Sequence, residues 1–266
     1  MFTLKMHVTP DSIEAIKAEL TRSLPGIKSS HRCEALGRGL GFGTYAALKA
    51  AAQSTDSALA DVSGDPFVDY LASHRFETTS RHLYHAATKA VLRKIVEQTP
   101  TLTMWGIGIG RPQRQSDGKF ENAREHSARF VEARLELQSD AAVVPFLLSL
   151  ALLDRVKRTK TIRPDTGSYW LKHVAENYVC TYPDGDELGP QYVPNGAFVA
   201  AAIHAGFHFK RHIDQFGYDE PSVSFNMSTR ALIVLDCEIR PNGARAQECK
   251  SREEMRFNRK HRIWPY

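Results

Sequence analysis

Apolar residues recur at helical spacing through most of this chain. Ile13, Ile16, Leu20 and Leu24 form a first stripe, opened by Thr9-Pro10-Asp11 and stopped by Pro25-Gly26. Thr9 can cap that helix, proline is pre-organised for its first turn, and aspartate suits its positive end. Ser29-Ser30 opens and caps a second helix that carries Cys33, Ala35, Leu36 and Leu40 and ends at Gly41. Phe42-Gly43-Thr44 then turns the chain into a third, over 45–52. These three helices form a compact N-terminal module over 1–53, helix-turn-helix-like in outline. The polar, turn-rich stretch 54–65 reads as a linker. Residues 66–266 read as a larger α+β domain with a basic tail.

Within that second part, the pattern predicts helices over 66–73 and 80–98, the latter with Leu83, Ala87, Ala90, Val91 and Ile95 on one side. Residues 102–110 look extended and 111–122 look like a polar loop. Val131, Ala133, Leu135 and Leu137 alternate with polar residues, which predicts a strand over 129–137, with a helix as the other reading. A buried helix follows over 141–158, and another over 168–178 with Thr166 or Ser168 as its cap. Residues 181–189 form an acidic loop. Asn195 is placed to cap a helix over 196–205 that Gly206 stops. Strands are expected near 207–210 and 222–227, and Ser228 caps a last helix over 229–235. The expected class is therefore α+β, mainly helical, with a small sheet.

Composition adds the setting. With 42% hydrophobic and 24% charged residues the chain has a soluble, globular make-up. No run of about 18 apolar residues exists, so no membrane span is expected. The N-terminal residues lack the layout of a signal peptide. Cys33, Cys180, Cys237 and Cys249 are widely spaced, without a Cys-x-x-Cys pair, and read as reduced thiols in a cytoplasm.

Charge changes the picture more. The net charge is +5, and it is clustered. Arg155, Lys157, Arg158, Lys160 and Arg163 fall within nine residues that hold no acid. The stretch 241–266 has seven Lys or Arg against three Glu, among them Arg256, Arg259, Lys260 and Arg262, with Trp264 close by. Such clusters suit a polyanion, since neutralised phosphates release counterions. On the second helix, Lys28, His31, Arg32 and Arg38 would line the exposed side and meet phosphates.

Other motifs are weaker. Gly37, Gly39, Gly41 and Gly43 follow a helix rather than a strand, so they read as packing and stop positions rather than a phosphate cradle. Gly106, Gly108 and Gly110 lack the Gly-Lys-Ser/Thr ending of a nucleotide loop and suggest a strand closely approached by another backbone. His204, His208 and His212 are spaced by four, but Gly206 breaks the helix that would stack them, so no metal or cofactor is expected. His173 and Glu176 share a helix side. With Lys172 and Asn195 they read either as a polar network pinning the helix or as an imidazole oriented for base chemistry.

The blocks Ser168-Tyr169-Trp170-Leu171-Lys172-His173-Val174-Ala175-Glu176 and Tyr192-Val193-Pro194-Asn195-Gly196-Ala197-Phe198 resemble those of an uncharacterised family carried by bacterial plasmids, phages and integrative elements. Phe225-Asn226-Met227-Ser228 is similar to a third block of that family. The resemblance covers about half the chain and implies a setting rather than a reaction. It implies a non-enzymatic accessory protein that binds a nucleic acid or a ribonucleoprotein, such as an anti-CRISPR inhibitor of a CRISPR-Cas surveillance complex. The alternatives are a phosphodiester hydrolase using His173 and Glu176, and a DNA-binding regulator reading through Lys28–Arg38.

Overall fold

Local capping sets the first helix as expected. In the computed structural model, which describes residues 2–54, 58–116 and 118–260, α1 spans Pro10–Ser23. The Ser12 amide donates to Thr9 Oγ1 and the Thr9 amide to Ser12 Oγ, so two otherwise orphan donors are paired. Ile13, Ile16, Leu20 and Leu24 are all buried. α2 (Ser29–Gly39) and α3 (Tyr45–Ala52) follow. Ser29 is the first helical residue of α2 rather than its cap; Lys28 holds the cap position without a side-chain bond. A Cβ on Gly39 would lie 2.5 Å from Leu83 Cδ2, so this glycine serves close packing as expected.

β1 (Lys5–His7) pairs antiparallel with β2 (Leu59–Asp61), in the register Lys5↔Asp61 and His7↔Leu59. β2 lies inside the stretch read as a linker. α4 (Gly64–Ser73) packs on α2, and α5 (Ser80–Gln98) packs along α1. One buried apolar cluster runs from Phe2 through both segments to Leu235.

β3 (Leu102–Thr103) and β4 (Gly106–Ile107) form a short hairpin. The strand expected over 129–137 is instead part of a helix, α6 (Ala123–Glu136). Asn122 and Glu125 close a capping box at its start. Ala133 and Leu137, four apart, face inward, whereas Val131 and Leu135 are 52% and 64% exposed. The alternation of apolar residues there is two helical faces interleaved.

A 3-10 turn (Asp140–Ala142) leads into α7 (Val143–Leu153), the apolar central helix, which ends five residues before the expected point. α8 (Ser168–Glu176) and α9 (Asn195–His204) pack against it. Between them β5 (Cys180–Thr181) and β6 (Glu187–Leu188) make a hairpin in place of the expected loop. β7 (Phe209–Lys210) pairs with β8 (Ser224–Phe225). The irregular stretch 157–168 is bonded to β8 and the residues flanking it, through Arg163 N to Phe225 O at 3.0 Å and Ser168 N to Val223 O at 2.8 Å. α10 (Thr229–Ile239) starts at Ser228, whose Oγ accepts from Ala231 N as expected. Residues 244–260 of the basic tail form a helix, α11 (Ala244–Lys260), and 261–266 lie outside the described residues.

With eleven helices and small two-stranded sheets among the described residues, the fold is mainly helical α+β. No single described helix is long and apolar enough to cross a membrane.

Candidate nucleic-acid interface

α8 brings Tyr169, Lys172 and His173 to one cleft of about 900 Å³. The β3–β4 turn adds Trp105, the stretch before α9 adds Tyr192, and Asn195 lies at the start of α9. Trp105, Tyr169 and Tyr192 are 54%, 59% and 65% exposed, which is unusual for rings this large grouped at one place.

Lys172 and His173 of the cleft are held by one carboxylate. Glu176 accepts from Lys172 Nζ at 2.7 Å, from His173 Nδ1 at 2.6 Å and from the Val193 amide at 3.4 Å. Burial alone would push its carboxyl upward. The hydrogen bonds from Lys172 and His173 outweigh this and hold it below the ordinary carboxylate value. The Lys172 side chain is 4% exposed, and its ammonium lies 4.8 Å from the Tyr192 ring centre and 5.2 Å from that of Tyr169. Cation–π attraction therefore orders both rings at the rim. His173 has Nδ1 engaged and keeps Nε2 for another partner.

Asn195 does not take the capping role expected of it on α9. Pro194 holds the cap position, and Asn195 Nδ2 donates to Trp105 O at 3.0 Å and Pro221 O at 2.9 Å. The side chain thus ties α9 to the β3–β4 turn and to the segment leading into β8. Two glycines allow this approach. A Cβ on Gly106 (φ +126°) would lie 2.0 Å from Pro221 O, and one on Gly196 would lie 1.8 Å from Thr103 O. The reading of 106–110 as closely approached backbone is correct at Gly106.

The basic stretch before α8 is divided in its use. Arg155 pairs with Glu238 at 2.7 Å, and Arg158 donates to the Ala205 carbonyl and lies over Phe207. Lys157, Lys160 and Arg163 are exposed, and no ion pair ties them to other described residues. The segment that carries them is bonded to 225–228 and leads into α8, with Arg163 six residues before Tyr169. On α11, Arg256 is exposed; the side chains of Arg259 and Lys260, with Arg262 and Trp264, lie outside the described residues.

The surface expected on α2 is mostly spent on structure. Arg32 Nη1 donates to the carbonyls of Leu24 and Ile27, closing the end of α1. His31 meets the Tyr70 hydroxyl at 3.3 Å and stacks near His74 and Phe76. Arg38 lies over Tyr70, and Lys28 is exposed. His204, His208 and His212 do not converge, and no metal-binding cluster occurs among the described residues. His204 packs on Phe146, and burial holds it at about 4.

Sequence reasoning singles out Lys172, His173, Glu176 and Asn195; three of these line the cleft while Glu176 braces it. It misses Trp105 and Tyr192 as ring platforms. Both sit in irregular segments where no periodicity marks them. No family model, curated protein or solved structure matches this chain.

Proposed function

We propose that this protein binds single-stranded nucleic acid, free or within a ribonucleoprotein, stacking bases in the aromatic cleft and meeting phosphates along Lys157, Lys160 and Arg163. The observation that carries this reading is the grouping of three rings, each more than half exposed, around one cleft. Every base has a π-face, so such a platform is sequence-tolerant and worth about 1–3 kcal/mol per stacked base. Exposed cations on the segment that leads into α8 would complete the usual pairing of stacking and backbone neutralisation. Duplex grooves fit less well, because two of the four α2 residues that would read them, Arg32 and His31, are committed elsewhere. The resemblance to mobile-element proteins supplies the partner class: the RNA of a CRISPR surveillance complex, whose capture would inhibit host defence.

A second reading, phosphodiester hydrolysis, rests on the His173–Glu176 pair, which leaves Nε2 to take a proton. It is the weaker reading because the same carboxylate holds the buried Lys172 ammonium. Anisotropy titrations of a labelled, unstructured strand of roughly 12 nucleotides against the matching duplex test the proposal. Tighter binding of the single strand supports it; equal or weaker binding than the duplex sinks it.

A further inference from the structure

Cys237 and Cys249 stand twelve residues apart, yet their sulfurs lie 3.4 Å apart between α10 and α11. The helices are aligned by Asp236, which is 2% exposed. Its carboxylate accepts from Trp170 Nε1 at 2.8 Å and Arg240 Nε at 2.6 Å, and lies 3.8 Å from Arg245 Nε. Arg245 in turn lies 3.7 Å from the Trp170 ring centre. Ala246 is buried, and Cys249 follows it by three, on the same helix side. Beyond these contacts α11 has little to hold it: Ala246 is the one buried side chain among those described on this helix. The cysteine pair therefore sits where α11 leaves its anchor and continues as a polar helix.

We propose that Cys237 and Cys249 are a reversible redox site whose disulfide staples α11 to α10. The inference is independent of nucleic-acid binding. The oxidant is a low-molecular-weight disulfide. One protein thiolate attacks it, forming a mixed disulfide and releasing one small thiolate. The second protein thiolate then attacks the cysteine sulfur of that mixed disulfide, forming the Cys237–Cys249 bond and expelling the second small thiolate. Two protein thiols are oxidised, one small disulfide is reduced to two thiols, and the protons follow the departing thiolates. A disulfide needs its sulfurs at about 2.0 Å, so from 3.4 Å they must close by about 1.4 Å. Burial and the neighbouring thiol hold Cys237 above the ordinary thiol range, so the exchange quickens as pH rises.

The staple would keep Arg245 on Trp170, the residue next to Tyr169 of the cleft. Cys33 lies on α2 and Cys180 on β5, outside this arrangement.

The test is peptide mapping of the full chain after equilibration in oxidised and reduced glutathione, with free thiols alkylated. The expected result is a linked Cys237–Cys249 peptide pair, with Cys33 and Cys180 alkylated, reversed by dithiothreitol. Amide exchange in α11 should slow by roughly tenfold to a hundredfold in the oxidised form, because the cross-link restricts local opening. Cys249→Ser should leave Cys237 as a mixed disulfide with glutathione and restore fast exchange; if that variant does not fold, the wild-type map alone decides. Linkage to Cys33 or Cys180, or both cysteines ending alkylated or singly glutathionylated, would overturn the proposal.

Discussion

Replacing Glu176 with glutamine removes one charge and almost no volume, so it isolates the electrostatics beneath the cleft. The carboxylate is the counter-ion of Lys172, whose side chain is 4% exposed. Breaking a buried pair by removing one partner costs about 3–5 kcal/mol, because the other charge stays buried. Two features lower this. Glu176 keeps 17% exposure, and the Tyr169 and Tyr192 rings still attract the ammonium, by about 0.5–2 kcal/mol. The expected decrease is therefore about 2–3 kcal/mol at neutral pH. In urea this lowers the unfolding midpoint by roughly 1 M at unchanged slope. A double-mutant cycle completed with Lys172→Met, alone and on the Glu176→Gln background, should show a coupling of at least about 1.5 kcal/mol. A decrease under about 0.5 kcal/mol, or strict additivity, would refute the reasoning. The pH sign is fixed as well. The Glu176 carboxyl sits below its ordinary 4.5, so its contribution is present above that value and fades as pH falls through the lower folded value.

Other consequences can be checked separately. Arg32→Ala should lower stability by about 1–2 kcal/mol, since it uncaps two carbonyls at the end of α1, while leaving oligonucleotide affinity unchanged; weaker binding at unchanged stability would return α2 to the binding surface. Gly196→Ala should cost more than about 3 kcal/mol or abolish folding, because a backbone carbonyl occupies the space of the added carbon; a wild-type melting temperature would show that close approach to be wrong. Burial holds His204 at about 4 against an ordinary 6.5, so the unfolded chain binds its proton first. Stability should then be full above pH 6.5 and decline toward pH 4, and His204→Leu should shallow that decline in urea titrations; an unchanged decline would remove His204 as a cause.

How much can be read from the chain depends on how local the deciding interactions are. α1, α3 and α5 lie where the Thr9 cap, the turn at 42–44 and the apolar stripes predict, because these signals act within a few residues. α6 reads as a strand only because four apolar residues alternate, and two of them face solvent; the Asn122–Glu125 capping box is the signal that decides it. Asn195 looks like a cap because a cap is the local use of asparagine. Its partners are Trp105 and Pro221, 90 and 26 residues away, and no spacing announces them. The same holds for the cleft. Lys172, His173 and Glu176 stand out as one turn of helix, but Trp105 and Tyr192 join them only when the β3–β4 turn closes on α9. Cys237 and Cys249 show nothing at a spacing of twelve until α10 and α11 lie side by side.

The most direct test of nucleic-acid binding at the cleft is strand affinity as a function of salt for two variants and the wild type. Tyr169→Ala with Tyr192→Ala should weaken binding by about 1–3 kcal/mol for each base that no longer stacks, at every salt concentration, and leave the salt slope unchanged. Lys157→Ser with Arg163→Ser should instead flatten the slope by about 0.7 for each phosphate no longer neutralised. Wild-type affinity in the aromatic variant, measured on a folded protein, would contradict the account.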